Sequence, residues 1–428
     1  MAQRQRPAAG ADLDALWAHH HAEWRSPAQI ASQWQEAAQT DPLLLRGKAV
    51  GRWWDVLAET GVTLLVTREY EHLVMALRAD AHGPSTSYMR LPHPSGLAVD
   101  QEAATVTVAS TRNPNQVFDL RPVTGLLERL DRAPVSVEDR PLVPVRSRFF
   151  PGALYMHDLA YVGGVLHANS VGQNAVVQLH EDGDHTRVWW PRCIERADGP
   201  VFGQNHIQLN SIAAGADLAS SFFSASTDVL SARRPGHRNF AVDRRGVIFS
   251  GATREPMARG LTRPHSARLH DGKVWVDNSG YGELCVAIDG RAEPVIRLPG
   301  WTRGLCFVGG YAFVGTSRVI PRFRQYAPGL DVDASRCGVH AVDLATGRVA
   351  GSLFWPAGNQ IFAIEWLPGT ATSGFPFHTG PKRSREDPTS LFYAFQTDRR
   401  TTTVTPDRRN GRSTAAVPAV AADLEEKT

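Results

Sequence analysis

One plan of short strands recurs along most of this chain, and that recurrence limits the possible folds more than composition does. HDLAYVGGVLHANSVGQNAVVQLHEDG from His157, HSARLHDGKVWVDNSGYGELCVAIDG from His265 and RGLCFVGGYAFVGTSR from Arg303 follow the same order. Each has an apolar strand, a Gly-bearing turn, and a second strand ending in Asn-Ser or Thr-Ser. In the first two, a third strand follows and runs into an Asp-Gly turn. GLAVDQEAATVTVASTRNPNQVFDL, following Ser95, carries three such strands, and the stretches near Asn210 and Ile361 are weaker copies. The openings Ser95, His157, Asn210, His265, Arg303 and Ile361 recur every 38 to 62 residues. All-strand repeats of this period fit the radial four-stranded blades of a β-propeller.

Six openings predict six blades. Val62 to Thr67 and His72 to Arg78, flanking the polar turn Arg68-Glu69-Tyr70-Glu71, are expected to complete the blade whose inner strand begins near Ile361. Strands from both chain ends then close the ring and leave no free sheet edge. The 37 glycines and 28 prolines, spread throughout, suit many tight turns.

Residues 1–60 read as a helical N-terminal extension. Leu13, Leu16, Trp17, His20 and Trp24 share one helical face. Ser26-Pro27 starts a second helix carried by Ile30 and Trp34 to Asp41-Pro42, and Trp54 to Leu57 form a third that ends near Gly61. Residues 61–396 are the expected propeller. Residues 397–428 lose periodicity and aromatic residues and read as a disordered tail.

Composition narrows the functional classes. Among 428 residues, 46 basic and 43 acidic side chains leave a formal charge of +3, scattered rather than blocked, so neither a nucleic acid nor a membrane is the expected partner. The start lacks the apolar core of a signal peptide, and no run approaches the roughly 20 apolar residues of a membrane span. A soluble, cytoplasmic protein is expected. Cys193, Cys285, Cys306 and Cys337 form no CxxC pair and read as buried reduced thiols. No GxSxG elbow or HExxH helix is present.

ARGLTRPHSARLHDGKVWVDNSGYGEL, RLPGWTRGLCFVGGYAFVGTSR, CGVHAVDLATGRV and NQIFAIEWLPG together resemble an uncharacterised bacterial family of conserved hypothetical, propeller-like proteins, a domain of unknown function. The resemblance runs from about residue 60 to 370 and is carried by the Pro-His-Ser, Asn-Ser-Gly and Thr-Arg-Gly-Leu elements. It implies a mainly β, six-bladed propeller of the NHL or strictosidine-synthase kind, and no catalytic residue. Where the family has His-Leu-Asn, this chain has Gln208-Leu209-Asn210, and His206 is the expected substitute.

In a propeller the innermost strands line a channel, so their first polar side chains meet at one mouth. His157, His265 and Arg303 are the expected catalytic residues. His157, Asn210, His265 and His206 are the expected ligands of one divalent ion, which on donor type is zinc, iron, manganese or calcium. Arg303, Ser95, Gln360 and Asp158 are expected at the substrate, Arg303 through its bidentate fork. The expected function is a small-molecule enzyme or binding protein at the channel mouth, performing hydrolysis, elimination or cyclisation in specialised metabolism. The alternative is a non-catalytic scaffold that offers blade rims or the N-terminal helices to a protein partner.

Overall fold

The computed structural model describes residues 13–24, 34–112, 115–126, 140–230, 235, 237, 240–379 and 395–397. Of the tail expected over residues 397–428 all but Thr397, which ends a strand, lies outside them, as do residues 26–33 of the second expected helix. The chain is mainly β, in a propeller-like arrangement.

The strands at one end of each large sheet are labelled here β1 (Pro94–Asp100), β2 (Met156–Val162), β3 (Leu209–Ala213), β4 (Pro264–His270), β5 (Trp301–Val308) and β6 (Ile364–Pro368). Each touches the next, and β6 returns to β1. β2 leads the four-stranded sheet β2, Val165–Ser170, Ala175–Leu179, His185–Trp189. β1 leads a sheet through Thr105–Ser110 to Asn115–Leu126, which pairs with both Leu142–Phe150 and Phe395–Thr397. β3 and β4 are the two ends of one eight-stranded sheet, whose middle is a single parallel pair, Arg259 with Arg291.

Segments about 300 residues apart share a sheet, as the sequence suggested. β6 pairs antiparallel with Val62–Arg68, in register from Val62 opposite Pro368 to Val66 opposite Ile364. The N-terminal region is only partly helical. Helix α1 covers Leu13–Ala22, but Lys48–Gly51 is a strand that extends the β5 sheet beyond Arg348–Phe354. Helix α2, Trp53–Thr60, buries Trp53, Val56 and Leu57 against the β5 and β6 sheets. Alternation in Lys48–Gly51 is too short to be read against the neighbouring helical stripe. No helix of the described residues is long and apolar enough to cross a membrane.

Two local devices orient the mouth of the ring. Five of the labelled strands carry a β-bulge just after their start, between Pro94 and Leu97, Met156 and Leu159, Leu209 and Ser211, His265 and Arg268, and Thr302 and Leu305. A bulge adds a residue to one strand and so redirects its side chains. Just before four of these strands stands a non-glycine residue in the left-handed region: His93 (φ 42°), Tyr155 (51°), Gln208 (48°) and Arg263 (55°). Such backbone is costly for a residue with a Cβ and persists where the surroundings enforce it. Here the enforcement is visible. Asn115 Oδ1 accepts from the N–H groups of Leu154 and Tyr155, Asn174 Oδ1 from His206 and Ile207, and Asn278 Oδ1 from Thr262. Glu71 Oε1 does the same for Asn359 and Gln360.

The ring is tight at its start. A Cβ on Gly96 would lie 2.7 Å from Asp158 Cα and 2.7 Å from Leu159 N, so β1 and β2 approach closely only because residue 96 is glycine. Gly96→Ala is expected to force the two strands apart and cost about 1–3 kcal/mol, as overpacking does. Urea denaturation checks this, and a loss below about 0.5 kcal/mol would contradict the close approach.

Candidate functional site

A cavity of about 740 Å³ opens at the mouth where these strands begin. His157, Gln208, Arg263, His265, Trp301, Arg303, Gln360 and Phe362 contribute to its wall, from β2, β4 and β5 and the segments leading into β3, β4 and β6. His157 and His265 stack with ring centroids 6.1 Å apart, and His157 meets Phe362 edge-on at 5.5 Å. The Arg303 guanidinium lies over the same Phe362 ring, 3.3 Å from its centroid.

The electrostatics of this wall are one-sided. Burial holds both imidazoles well below the usual histidine range, and the charges of Arg303 and Arg263 push them further down. They are neutral at pH 7, and among the described residues the buried His157 Nδ1 has no hydrogen-bond partner. Arg263 is buried, rests 4.7 Å from the Tyr326 ring centroid and donates from Nη1 to Gln208 Oε1 at 2.6 Å. With the Gln360 amide oriented to satisfy both neighbours, its oxygen accepts from Arg303 Nη1 at 2.9 Å and its nitrogen donates to Glu69 Oε2 at 3.1 Å. Neither arginine has a carboxylate at ion-pair distance among the described residues. Burial lowers both guanidinium pKa values to about 10.

Toward the rim the cavity meets Glu36, Glu69, Tyr70, His72, His93, Arg112, Arg318 and Arg322. Glu69 is already engaged by Thr111 Oγ1 at 2.6 Å and by Arg112 Nε at 3.6 Å. Glu36, His72 and His93 are the one group of three His, Cys, Asp or Glu among the described residues whose ligand atoms lie within 4.8 Å of one another. Glu36 Oε2 is 3.7 Å from the Nε2 atoms of both histidines. His72 Nδ1, however, accepts the backbone N–H of His93 at 3.1 Å. The proton of a neutral His72 is then on Nε2, facing Glu36 as a donor, whereas an ion needs the lone pair there.

The other residues singled out in the sequence lie elsewhere. Ser95 is fully buried, its Oγ donating to the Ala109 and Met156 carbonyls, as inter-sheet packing. Asp158 is turned by the β2 bulge away from the cavity. Its carboxylate accepts from Arg268 Nη1 at 2.7 Å and Nη2 at 3.1 Å, and from the Ile212 N–H. Arg268 Nε also stands 3.4 Å from Glu365 Oε1, so an Asp158–Arg268–Glu365 network joins β2, β4 and β6. Burial pushes Glu365 up to about 7, against the pull of Arg268. Asn210 donates to the Pro264 carbonyl at 2.8 Å and stands beside His157, where it favours the charged imidazole against the larger effect of burial. His206 precedes β3 on a loop, not on the strand face, and is not part of the cavity wall.

The structure therefore brings His157, His265, Arg303 and Gln360 together, with Asn210 packed beneath them. It adds Arg263, Gln208, Glu69, Tyr70, His72 and His93, which sequence reasoning missed. A signal was available for three of these. His93, Gln208 and Arg263 stand two residues before Ser95, Asn210 and His265, at the same offset in the repeat.

The cysteines are thiols remote from this chemistry. Cys285, Cys306 and Cys337 are buried and Cys193 is half-buried, and burial raises all four thiol pKa values.

No curated protein matches the chain. Solved structures that it resembles include one titled as a nidogen/laminin complex, at 10% identity over 72% of this chain and 98% of that one, TM-score 0.47. A gluconolactonase from Xanthomonas campestris matches at 14% identity over 69% of this chain and 86% of that one, TM-score 0.41. A streptogramin B lyase matches at 10% over 73% and 98%, TM-score 0.35. At such scores these likenesses carry no argument about chemistry, and the propeller-like arrangement rests on the sheet topology above. The family profile described as a domain of unknown function (DUF4915) matches residues 51–375, so the chain belongs to that family.

Proposed function

We propose that this chain is a small-molecule enzyme working at the mouth of a six-bladed ring, the eight-stranded sheet counting as two blades joined by its single parallel pair. The observation that carries the reading is the neutral His157–His265 pair, one nitrogen unpartnered, facing a 740 Å³ cavity beside Arg303. A neutral imidazole takes a proton from a bound substrate and returns it to a leaving group. Arg303 stabilises the negative charge that develops in between. Elimination, lactone or ester hydrolysis and cyclisation all use these two roles. Gln360 positions Arg303, and Trp301 and Phe362 supply apolar wall.

A divalent ion at Glu36, His72 and His93 is the second reading, supported by their ligand spacing and opposed by the hydrogen bond that His72 Nδ1 already accepts. At His157, Asn210 and His265, two neighbouring guanidiniums repel a cation.

One experiment separates these readings from a scaffold. The purified chain is offered a panel of lactones, aryl esters and β-substituted acids, with products followed by mass spectrometry and bound metal by elemental analysis. Turnover is expected without stoichiometric zinc, iron, manganese or calcium. His157→Asn and His265→Asn should each reduce it at least a hundredfold, the scale of lost acid–base catalysis, while the folding midpoint changes little. Turnover that survives both substitutions would overturn the assignment. Stoichiometric metal lost on Glu36→Ala would favour the second reading, and a chain that turns over nothing would favour the scaffold.

A further inference from the structure

The cavity holds two arginines that no carboxylate among the described residues pairs directly. Glu69 acts on Arg303 at a distance, with the Gln360 amide between them, and Arg263 has no acidic partner at ion-pair distance. Arg263 is 6% exposed, yet its hydrogen-bond partner is a neutral amide and its Nε is buried without any partner. Arg303 repeats the pattern, with the Gln360 amide on Nη1 and an unpartnered, buried Nε. The two guanidiniums are close enough that each lowers the proton affinity of the imidazoles between them, and Arg303 that of Arg263. Buried charges are ordinarily paired, and an unpaired one is costly. Elsewhere in this protein that rule holds. Arg268 has Asp158 and Glu365, and Arg148 has Asp119. Asp277 is also buried without an ion pair among the described residues, but burial raises its carboxyl well above the usual range and so favours the neutral acid. The arginines of the cavity wall stay cationic, and their missing negative charge can arrive with a ligand.

We infer that Arg263 and Arg303 together bind one doubly charged oxyanion carried by the substrate, of the phosphate-monoester type, and set it against His157 and His265. Two unpartnered positive charges match a group of charge near −2, whereas a single carboxylate would leave one of them uncompensated. A phosphate monoester has that charge at neutral pH and three acceptor oxygens, and guanidinium forks suit such oxygens. Trp301 and Phe362, lining the same wall, receive the organic part. Free phosphate or sulfate shares the anion chemistry but has nothing to place against those rings. The inference rests on the small-molecule site proposed above. It adds Arg263 as a specificity residue and names the substrate class.

The test is titration of the full-length chain by calorimetry at pH 7.5 with inorganic phosphate, sulfate, acetate and phenyl phosphate, together with the melting temperature in each salt at matched ionic strength. Inorganic phosphate and sulfate are expected to bind and to raise the melting temperature above that in chloride. Phenyl phosphate should bind at least tenfold more tightly than inorganic phosphate, and acetate at least tenfold more weakly. Arg263→Gln and Arg303→Gln should each weaken phosphate binding at least tenfold. Without phosphate both variants should melt no lower than the parent, because an uncompensated buried charge is gone. Arg324→Gln, at an exposed arginine outside the cavity wall, should bind phosphate within about threefold of the parent.

Several results would overturn the inference. One is phosphate that does not stabilise the parent chain beyond chloride, a comparison that needs no variant to fold. The others are acetate that matches phosphate, phenyl phosphate that binds no better than inorganic phosphate, and affinity that survives both arginine substitutions. Phosphate binding without any turnover supports the anion site and sinks the enzyme assignment. Histidine-dependent turnover without phosphate binding does the reverse.

Discussion

Asp158→Ala is expected to destabilise the fold by about 3–5 kcal/mol, the scale seen when one partner of a buried ion pair is removed. Asp158 is buried and holds the buried side of Arg268 through two hydrogen bonds, and it also accepts the Ile212 N–H. Its loss removes the carboxylate facing a buried guanidinium, leaving Arg268 Nη2 and the Ile212 N–H without their partners while Nη1 keeps the Ala267 carbonyl at 2.9 Å. Glu365 remains at 3.4 Å and keeps the cost from being larger. The exposed Arg324–Asp333 pair is the control, because fully solvated pairs contribute about 0–1 kcal/mol. Equilibrium urea unfolding of Asp158→Ala and Asp333→Ala measures both. Equal, small effects would mean that the network does not brace the ring.

The second large effect concerns acid. His340 is buried in the β5 sheet, its Nε2 bonded to Thr316 Oγ1 at 3.0 Å and its Nδ1 to Ser352 Oγ at 2.8 Å. Burial lowers its pKa to about 3, from 6.5 for the unfolded chain. Below pH 6.5 the unfolded chain takes up a proton that the folded one refuses, so stability falls as pH falls, by about 1.4 kcal/mol per unit for this residue. Above 6.5 both states are neutral there and the effect vanishes. By pH 4.5 His340 alone removes about 2.7 kcal/mol. Other groups titrate in the same range, and Glu365 and Asp277, raised by burial, act in the opposite direction. The His340→Gln variant therefore isolates the effect. The stability difference between parent and variant, from urea curves between pH 7.5 and 4.5, is expected to shift against the parent by about that amount. A difference independent of pH would show that His340 is protonated inside the fold.

Much of the architecture was legible because repetition survives where individual propensities are weak. Strand-turn-strand units opening at His157, His265 and Arg303 identified the strands that bound the channel, and Val62 to Arg78 was correctly given to a sheet completed from the far end of the chain. The failures have local causes. Asp158 was expected beside His157 at the ligand, but the β2 bulge places two residues opposite one and breaks simple alternation. Ser95 occupies the repeat position of the histidines, yet a hydroxyl is short enough to be consumed by the nearest carbonyls. Arg263 was not singled out in the sequence. Its side chain enters the cavity wall from a left-handed backbone that an alternation argument does not describe. Glu69 and Tyr70 were read as a polar turn, which they are, and that turn is part of the rim.

The most direct measurement is a crystal structure of the full-length chain soaked in selenate, located by its anomalous signal. The anion is expected within about 3 Å of both Arg263 and Arg303, with His157 and His265 on the same wall of one opening. Selenate bound elsewhere, with these four side chains packed into separate sheets, would contradict the shared mouth on which the assignment of activity depends.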